Sequence, residues 1–133
     1  MQLAPYIFFY GRCAEALEFY KGVFGGSAEV MYVKDSPMAA DMPGAGNSVM
    51  HASFKAPGVE FFASDGREQK AVNPDEGNIS LALDAASAEE GEKIFNALAE
   101  GGKVSMPIAE AFWGGRFGMI EDKFGLEWMM TLP

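Results

Sequence analysis

The chain has 133 residues, with ten Lys and Arg against nineteen Asp and Glu and a formal net charge of −9. Apolar residues make up 49% and aromatics 13%, which is enough for one compact core and argues against disorder. The acidic balance argues against nucleic acid, and no run nears the roughly 20 apolar residues of a membrane helix. The N-terminus lacks the pattern of a secretory signal, so a soluble, cytoplasmic protein without a membrane partner is expected.

Residues 5–10 are apolar, aromatic and β-prone, and Gly11 breaks the run. Leu17, Tyr20 and Phe24 recur at helical spacing from about Cys13 to Phe24, with Glu15 and Glu18 opposite. Gly25-Gly26 supplies a helix stop, and Ala28–Lys34 reads as a second strand. Asp35–Ser48 has no periodicity and reads as a long loop, a candidate lid in which Met38 and Met42 would line an adaptable pocket. Val49–Lys55, a turn at Ala56-Pro57-Gly58 and Val59–Ser64 form a hairpin. Polar Asp65–Gly77, with Pro74, reads as the linker.

The pattern then repeats. Ile79–Asp84 reads as a strand, and Ser87-Ala88-Glu89-Glu90 as a capping box opening a helix that buries Ile94, Phe95 and Leu98. Gly101-Gly102 ends that helix. Lys103–Met106 is a short strand, and Pro107–Gly115 a loop holding Phe112 and Trp113. Arg116–Glu121 and Leu126–Thr131 make the last hairpin. The result is an α+β chain of two βαβββ modules, about 1–66 and about 77–133, in one domain spanning 1–133.

That order, with the run Phe112-Trp113-Gly114-Gly115-Arg116-Phe117-Gly118 continuing to Met129, resembles the PhnB-like branch of the vicinal oxygen chelate superfamily. Pro5-Tyr6-Ile7-Phe8-Phe9, Phe24-Gly25-Gly26, Met50-His51-Ala52 and Ala97-Leu98-Ala99-Glu100-Gly101-Gly102 carry the same likeness. The superfamily includes glyoxalase I, extradiol dioxygenases and bleomycin-binding resistance proteins. The resemblance implies a curved mixed sheet around a concave cavity, helices on the convex side, and a homodimer. Such sequences often carry a methyltransferase description, yet no glycine-rich nucleotide loop stands in this one.

Alternation along the strands then assigns faces. Tyr6, Phe8 and Tyr10, with Ile79, Leu81 and Leu83, are expected against the helices, and Ile7, Phe9, Asn78, Ser80 and Ala82 toward the cavity. Phe61, Leu126, Trp128 and Met130 are expected in the core, and Glu60, Phe62, Ser64, Glu127, Met129 and Thr131 on the inner side.

The superfamily's metal enzymes place His, Gln or Glu at four corners, which correspond here to Pro5, Phe62, Asn78 and Met129. None is a good ligand for a hard divalent cation, so neither a metal nor another cofactor is expected. A two-residue slip would bring in Glu60 or Glu127, which would otherwise be an acid–base pair or solvated strand carboxylates. His51, the sole histidine, is either a cavity base or a structural residue bonded across the sheet. Cys13, at a helix start, is either an activated thiol or a small buried residue, and as the only cysteine it cannot form an intramolecular disulfide. Phe112 and Trp113 would stack on a flat ligand with Arg116 holding its carboxylate or phosphate, or else would plug the cavity mouth or a subunit contact.

The expected function is binding of a small organic ligand, with turnover left open. Ile7, Phe9, Phe62 and Met129 would give apolar wall, and His51, Asn78, Glu127 and Arg116 polar contacts beside Trp113. His51 and Glu127 are the best catalytic candidates. The alternatives are a metal-dependent lyase, isomerase or dioxygenase of glyoxalase type, and a drug-sequestering protein whose acidic groove takes cationic ligands.

Overall fold

The computed structural model describes residues 1–68, 70–73 and 76–133. The chain falls into two compact units, Met1–Ala71 and Val72–Pro133. The first holds β1 (Tyr6–Phe8), α1 (Cys13–Phe24), β2 (Ser27–Tyr32), a 3-10 turn (Val33–Asp35), β3 (Val49–Ala56) and β4 (Val59–Ser64). The second holds β5 (Leu81–Asp84), α2 (Ala88–Ala99), β6 (Lys103–Glu110), β7 (Arg116–Glu121) and β8 (Glu127–Leu132). Strand order is β1-β4-β3-β2 in one sheet and β5-β8-β7-β6 in the other. The outer pairs β1–β4 and β5–β8 run parallel, and the remaining pairs antiparallel. The expected α+β chain with βαβββ written twice is therefore the fold. Among the described residues no helix is long and apolar enough to cross a membrane.

The repeated Gly-Gly pair has one physical cause in both units. After each helix the chain must pass close under the end of its own hairpin. A Cβ on Gly26 would stand 2.2 Å from the Lys55 carbonyl oxygen, and one on Gly102 would stand 2.2 Å from that of Glu121. No side chain fits there. The preceding glycines, Gly25 and Gly101, have φ of 73° and 75°, the left-handed region that ends a helix. At the other end of α2, the Ser87 hydroxyl accepts the Glu90 N–H at 3.2 Å, as the capping motif predicts.

Each helix covers one face of its own sheet. In the first unit Tyr20 packs on Phe9 and edge-on to Phe61, Phe24 packs on Phe54, and Phe54 stacks on Phe61 at 4.9 Å. In the second, Phe95, Leu98, Ile120, Trp128, Met130 and Leu132 are buried. Each large side chain so buried contributes roughly 1.5–3 kcal/mol.

The expected faces hold for β5, β4 and β8 but invert for β1. Leu81 and Leu83 pair with Trp128 and Met130 on the helix side, while Ala82 pairs with Met129 on the other. In β1, Ile7 and Phe9 are buried on the helix side, and Tyr6 and Phe8 are exposed on the helix-free side. The parallel register decides this. Ile7 lies beside Ala63 and Tyr6 beside Phe62, so β1 follows the alternation of β4, whose Phe61 and Ala63 are core.

Several boundaries also shift. β5 starts at Leu81, so Asn78, Ile79 and Ser80 precede it and Ile79 is exposed. β2 ends at Tyr32, where the chain turns into 3-10 geometry. β6 runs on to Glu110 through Pro107, which an edge strand tolerates because one side of its backbone has no strand to bond. Pro74 of the expected linker lies outside the described residues.

Two buried aspartates hold the units together internally. Asp65, at the end of β4, accepts the N–H groups of Gly11 at 3.0 Å, Cys13 at 2.8 Å and Val49 at 2.8 Å. It thus caps α1 from across the unit, since Arg12 at the N-cap position provides no side-chain cap. Asp122 accepts the N–H groups of Phe124 and Leu126 and the indole N–H of Trp128, fixing the β7–β8 turn.

Candidate ligand-binding site

The helix-free face of the first sheet carries an aromatic cluster. Tyr6 sits 5.2 Å from Phe8 and 5.6 Å from His51, and His51 stacks on Phe62 at 5.7 Å. The Tyr6 hydroxyl lies 3.2 Å from His51 Nδ1, a bond that reaches across β4 from β1 to β3. Phe62 thus lies on the helix-free face, as alternation expects, and His51 lies beside it, bonded across the sheet to Tyr6. Ile7 and Phe9 do not lie on that face, because the helix covers them; Tyr6 and Phe8 take their place.

At one end of this face lies a cleft of about 190 Å³. It is lined by Tyr6, Phe8 and Ser64 from β1 and β4, by Val33 and Val49, by Met38 and Met42 of the loop, and by Gly66 and Arg67. The Asp35–Ser48 loop therefore puts both of its methionines against a pocket. The loop is held by Val33 N–H to Ser48 O at 2.9 Å and Lys34 N–H to Gly46 O at 3.2 Å. Ser64 is buried, and its hydroxyl accepts the Gly66 N–H at 3.2 Å. Gly66, with φ of 70°, turns the chain sharply, and Asp65 is buried while Arg67 is exposed beside the cleft. Arg67 belongs to what sequence reasoning reads as linker. The signal that would have found it is the Asp-Gly turn closing β4 next to the long loop.

In the second unit the helix-free face carries Met129 and Ala82, with Glu127 hydrogen-bonded to the Ser80 hydroxyl. Glu127 is therefore a partnered carboxylate. Trp113 packs edge-on to Phe117 at 5.6 Å and to Phe112 at 4.8 Å, and both loop rings are exposed. Arg116 departs from expectation. Alternation from buried Gly118 and Ile120 puts it on the helix side, where its guanidinium meets Glu92 of α2 at 2.9 Å. It does not share a face with Trp113, Glu127 and Met129. Asn78 is exposed ahead of β5.

The metal corners can be tested on the donors present. Phe62 neighbours Tyr6, and Met129 neighbours Ala82. None of the four suits a hard cation, and among the described residues no three His, Cys, Asp or Glu side chains gather to hold one. The side chains at those four positions therefore do not fit a hard divalent ion. Cys13 is fully buried, and its thiol is pushed up to about 12, chiefly by burial and further by the negative charge of Asp65. That is the opposite of an activated nucleophile.

Comparison with known proteins gives concordant matches. Residues 1–131 match the family described as 3-demethylubiquinone-9 3-methyltransferase. Protein YjdN of Escherichia coli K12 is 30% identical over 99% of this chain and 95% of its own length. The crystal structure of PA1353 from Pseudomonas aeruginosa superposes with a TM-score of 0.84 at 35% identity, covering 99% of this chain and 97% of that one. A PhnB protein from Bacillus cereus superposes with a TM-score of 0.77 at 28% identity over the whole of both chains. More distant structures share the fold alone, among them a glyoxalase/bleomycin resistance/dioxygenase superfamily member at 17% identity and a fosfomycin resistance protein at 12%. A match over nearly the full length, on this doubled βαβββ frame, means that the chain belongs to the PhnB-like family described as 3-demethylubiquinone-9 3-methyltransferase.

Proposed function

We propose that this protein binds a small organic molecule in the cleft on the helix-free face of its first sheet, and does so without a hard divalent metal. The observation that carries this reading is the cleft itself, with an apolar lining of Phe8, Val33, Met38 and Met42 and a polar edge of Ser64 and Arg67. Apolar walls with a few convergent polar groups are the ordinary make-up of a ligand pocket. At about 190 Å³ it is smaller than the roughly 300–1,000 Å³ of pockets that take drug-sized ligands, so its occupant is a small molecule. Tyr6 lines the cleft and its hydroxyl meets His51 behind it, so this pair is the group to test for proton transfer, should the ligand be converted. A cytoplasmic homodimer is part of the same proposal, and sedimentation of the purified protein tests the oligomer.

Methyl transfer from a nucleoside donor is a poorer reading. Such donors lie in the crevice of a doubly wound parallel sheet, whereas each sheet here has a single parallel pair among its described strands. Sequestration of a large cationic drug finds no support in this cleft, which has no carboxylate among its described lining residues.

The test is NMR of protein labelled at its methionine methyl groups while small organic compounds are added. Binding in the cleft predicts saturable shifts of the Met38 and Met42 signals. Compounds that bind while leaving both signals unmoved would remove the cleft from consideration.

A further inference from the structure

The cleft also carries a charge signature. The chain holds nineteen Asp and Glu, yet among the described residues the one charged side chain lining the cleft is the cationic Arg67. Two of the three arginines are engaged by carboxylates, Arg12 by Glu15 at 2.7 Å and Arg116 by Glu92 at 2.9 Å. Among the described residues Arg67 has no such partner. In so acidic a protein an arginine without a carboxylate partner beside an apolar pocket is suited to meet an anion.

A second donor points the same way. The Ser64 hydroxyl uses a lone pair to accept the Gly66 N–H, and among the described residues no acceptor takes its own proton. It is buried and lines the cleft with that proton available. Arg67 and Ser64 thus offer donors to the cleft, and the thioethers of Met38 and Met42 with the Phe8 ring offer apolar surface.

We infer that the cleft selects a small organic carboxylate with a short apolar body. The carboxylate meets the Arg67 guanidinium and the Ser64 O–H, and the hydrocarbon part lies against Met38, Met42 and Phe8. This rests on the cleft being the ligand site, and the experiment separates the two claims.

Hexanoate, hexanamide and hexylamine share one apolar body and differ in head group. Each is titrated into methionine-methyl-labelled protein at low ionic strength, for the wild type and for Arg67→Gln. Arg67 is exposed and holds no structural bond, so the variant keeps its fold, which circular dichroism checks. Hexanoate is expected to shift the Met38 and Met42 signals to saturation. Hexanamide should bind at least about tenfold more weakly, because it lacks the charge-assisted bond, and hexylamine more weakly still. Arg67→Gln should bring hexanoate down to the level of hexanamide and leave hexanamide unchanged. Equal affinities for the three compounds, or an Arg67→Gln protein that binds hexanoate like the wild type, would overturn carboxylate selection while leaving the cleft as a site. Silent Met38 and Met42 signals with all three compounds would overturn both claims.

Discussion

Replacing Asp65 with Ala should cost more stability than any change to a surface charge. The carboxylate is buried, and its two oxygens accept three backbone N–H groups: Gly11, Cys13 and Val49 at 3.0, 2.8 and 2.8 Å. Removal leaves the Cys13 and Val49 amides buried without acceptors, and each such group costs about 1–3 kcal/mol. The expected loss is therefore about 2–6 kcal/mol, a large part of the roughly 5–15 kcal/mol available to a domain. Asp65→Asn should recover only part of it, since an amide offers one oxygen where two oxygens now serve donors on both sides. Urea denaturation followed by far-ultraviolet circular dichroism measures the change. A second readout is specific to the carboxylate: with its charge gone, the Cys13 thiol should titrate below its present value of about 12. A loss below about 1 kcal/mol for Asp65→Ala would refute the capping role assigned here.

Three further outcomes follow from the same geometry. Gly26→Ala and Gly102→Ala should each destabilise by about 2 kcal/mol or more, because the added methyl meets a backbone carbonyl oxygen rather than a movable side chain; thermal melts of the two variants check this. The native Cys13 thiol should resist Ellman's reagent at pH 8 and react once the chain is unfolded. Its folded value lies above the unfolded one, so its contribution to stability is complete below about pH 9 and is lost as pH rises toward 12, a loss absent in Cys13→Ala. Arg116→Ala should cost only about 0.2–1 kcal/mol, since its pair with Glu92 is half exposed, and should leave ligand affinity in the first unit's cleft unchanged by calorimetry.

The doubled architecture was readable because its signals are local. Helical spacing of Leu17, Tyr20 and Phe24, the Ser87 cap and the two Gly-Gly pairs each act within a few residues. Strand faces were readable where the sequence alternates, as in Ser80-Leu81-Ala82-Leu83-Asp84. In Tyr6-Ile7-Phe8-Phe9-Tyr10 every position is apolar or aromatic, so both alternations fit, and only the register with Phe62 and Ala63 chooses between them. That choice exchanged Ile7 and Phe9 for Tyr6 and Phe8 on the helix-free face. Arg116 was misplaced for a similar reason, because its partner Glu92 lies on a helix far back in the sequence. Asp65 gave no local sign of its role, since two of the three amides it accepts are more than fifty residues away. His51, Phe62, Met38 and Met42 were visible as candidates by residue type and position, but the cleft that gives the methionines a purpose depends on how the loop folds over the sheet.

A crystal structure of the protein soaked with hexanoate bears most directly on the account. Density for the compound between Met38, Met42 and Phe8, with its carboxylate toward Arg67 and Ser64, is the predicted result. A cleft left empty while hexanoate occupies another surface would contradict it.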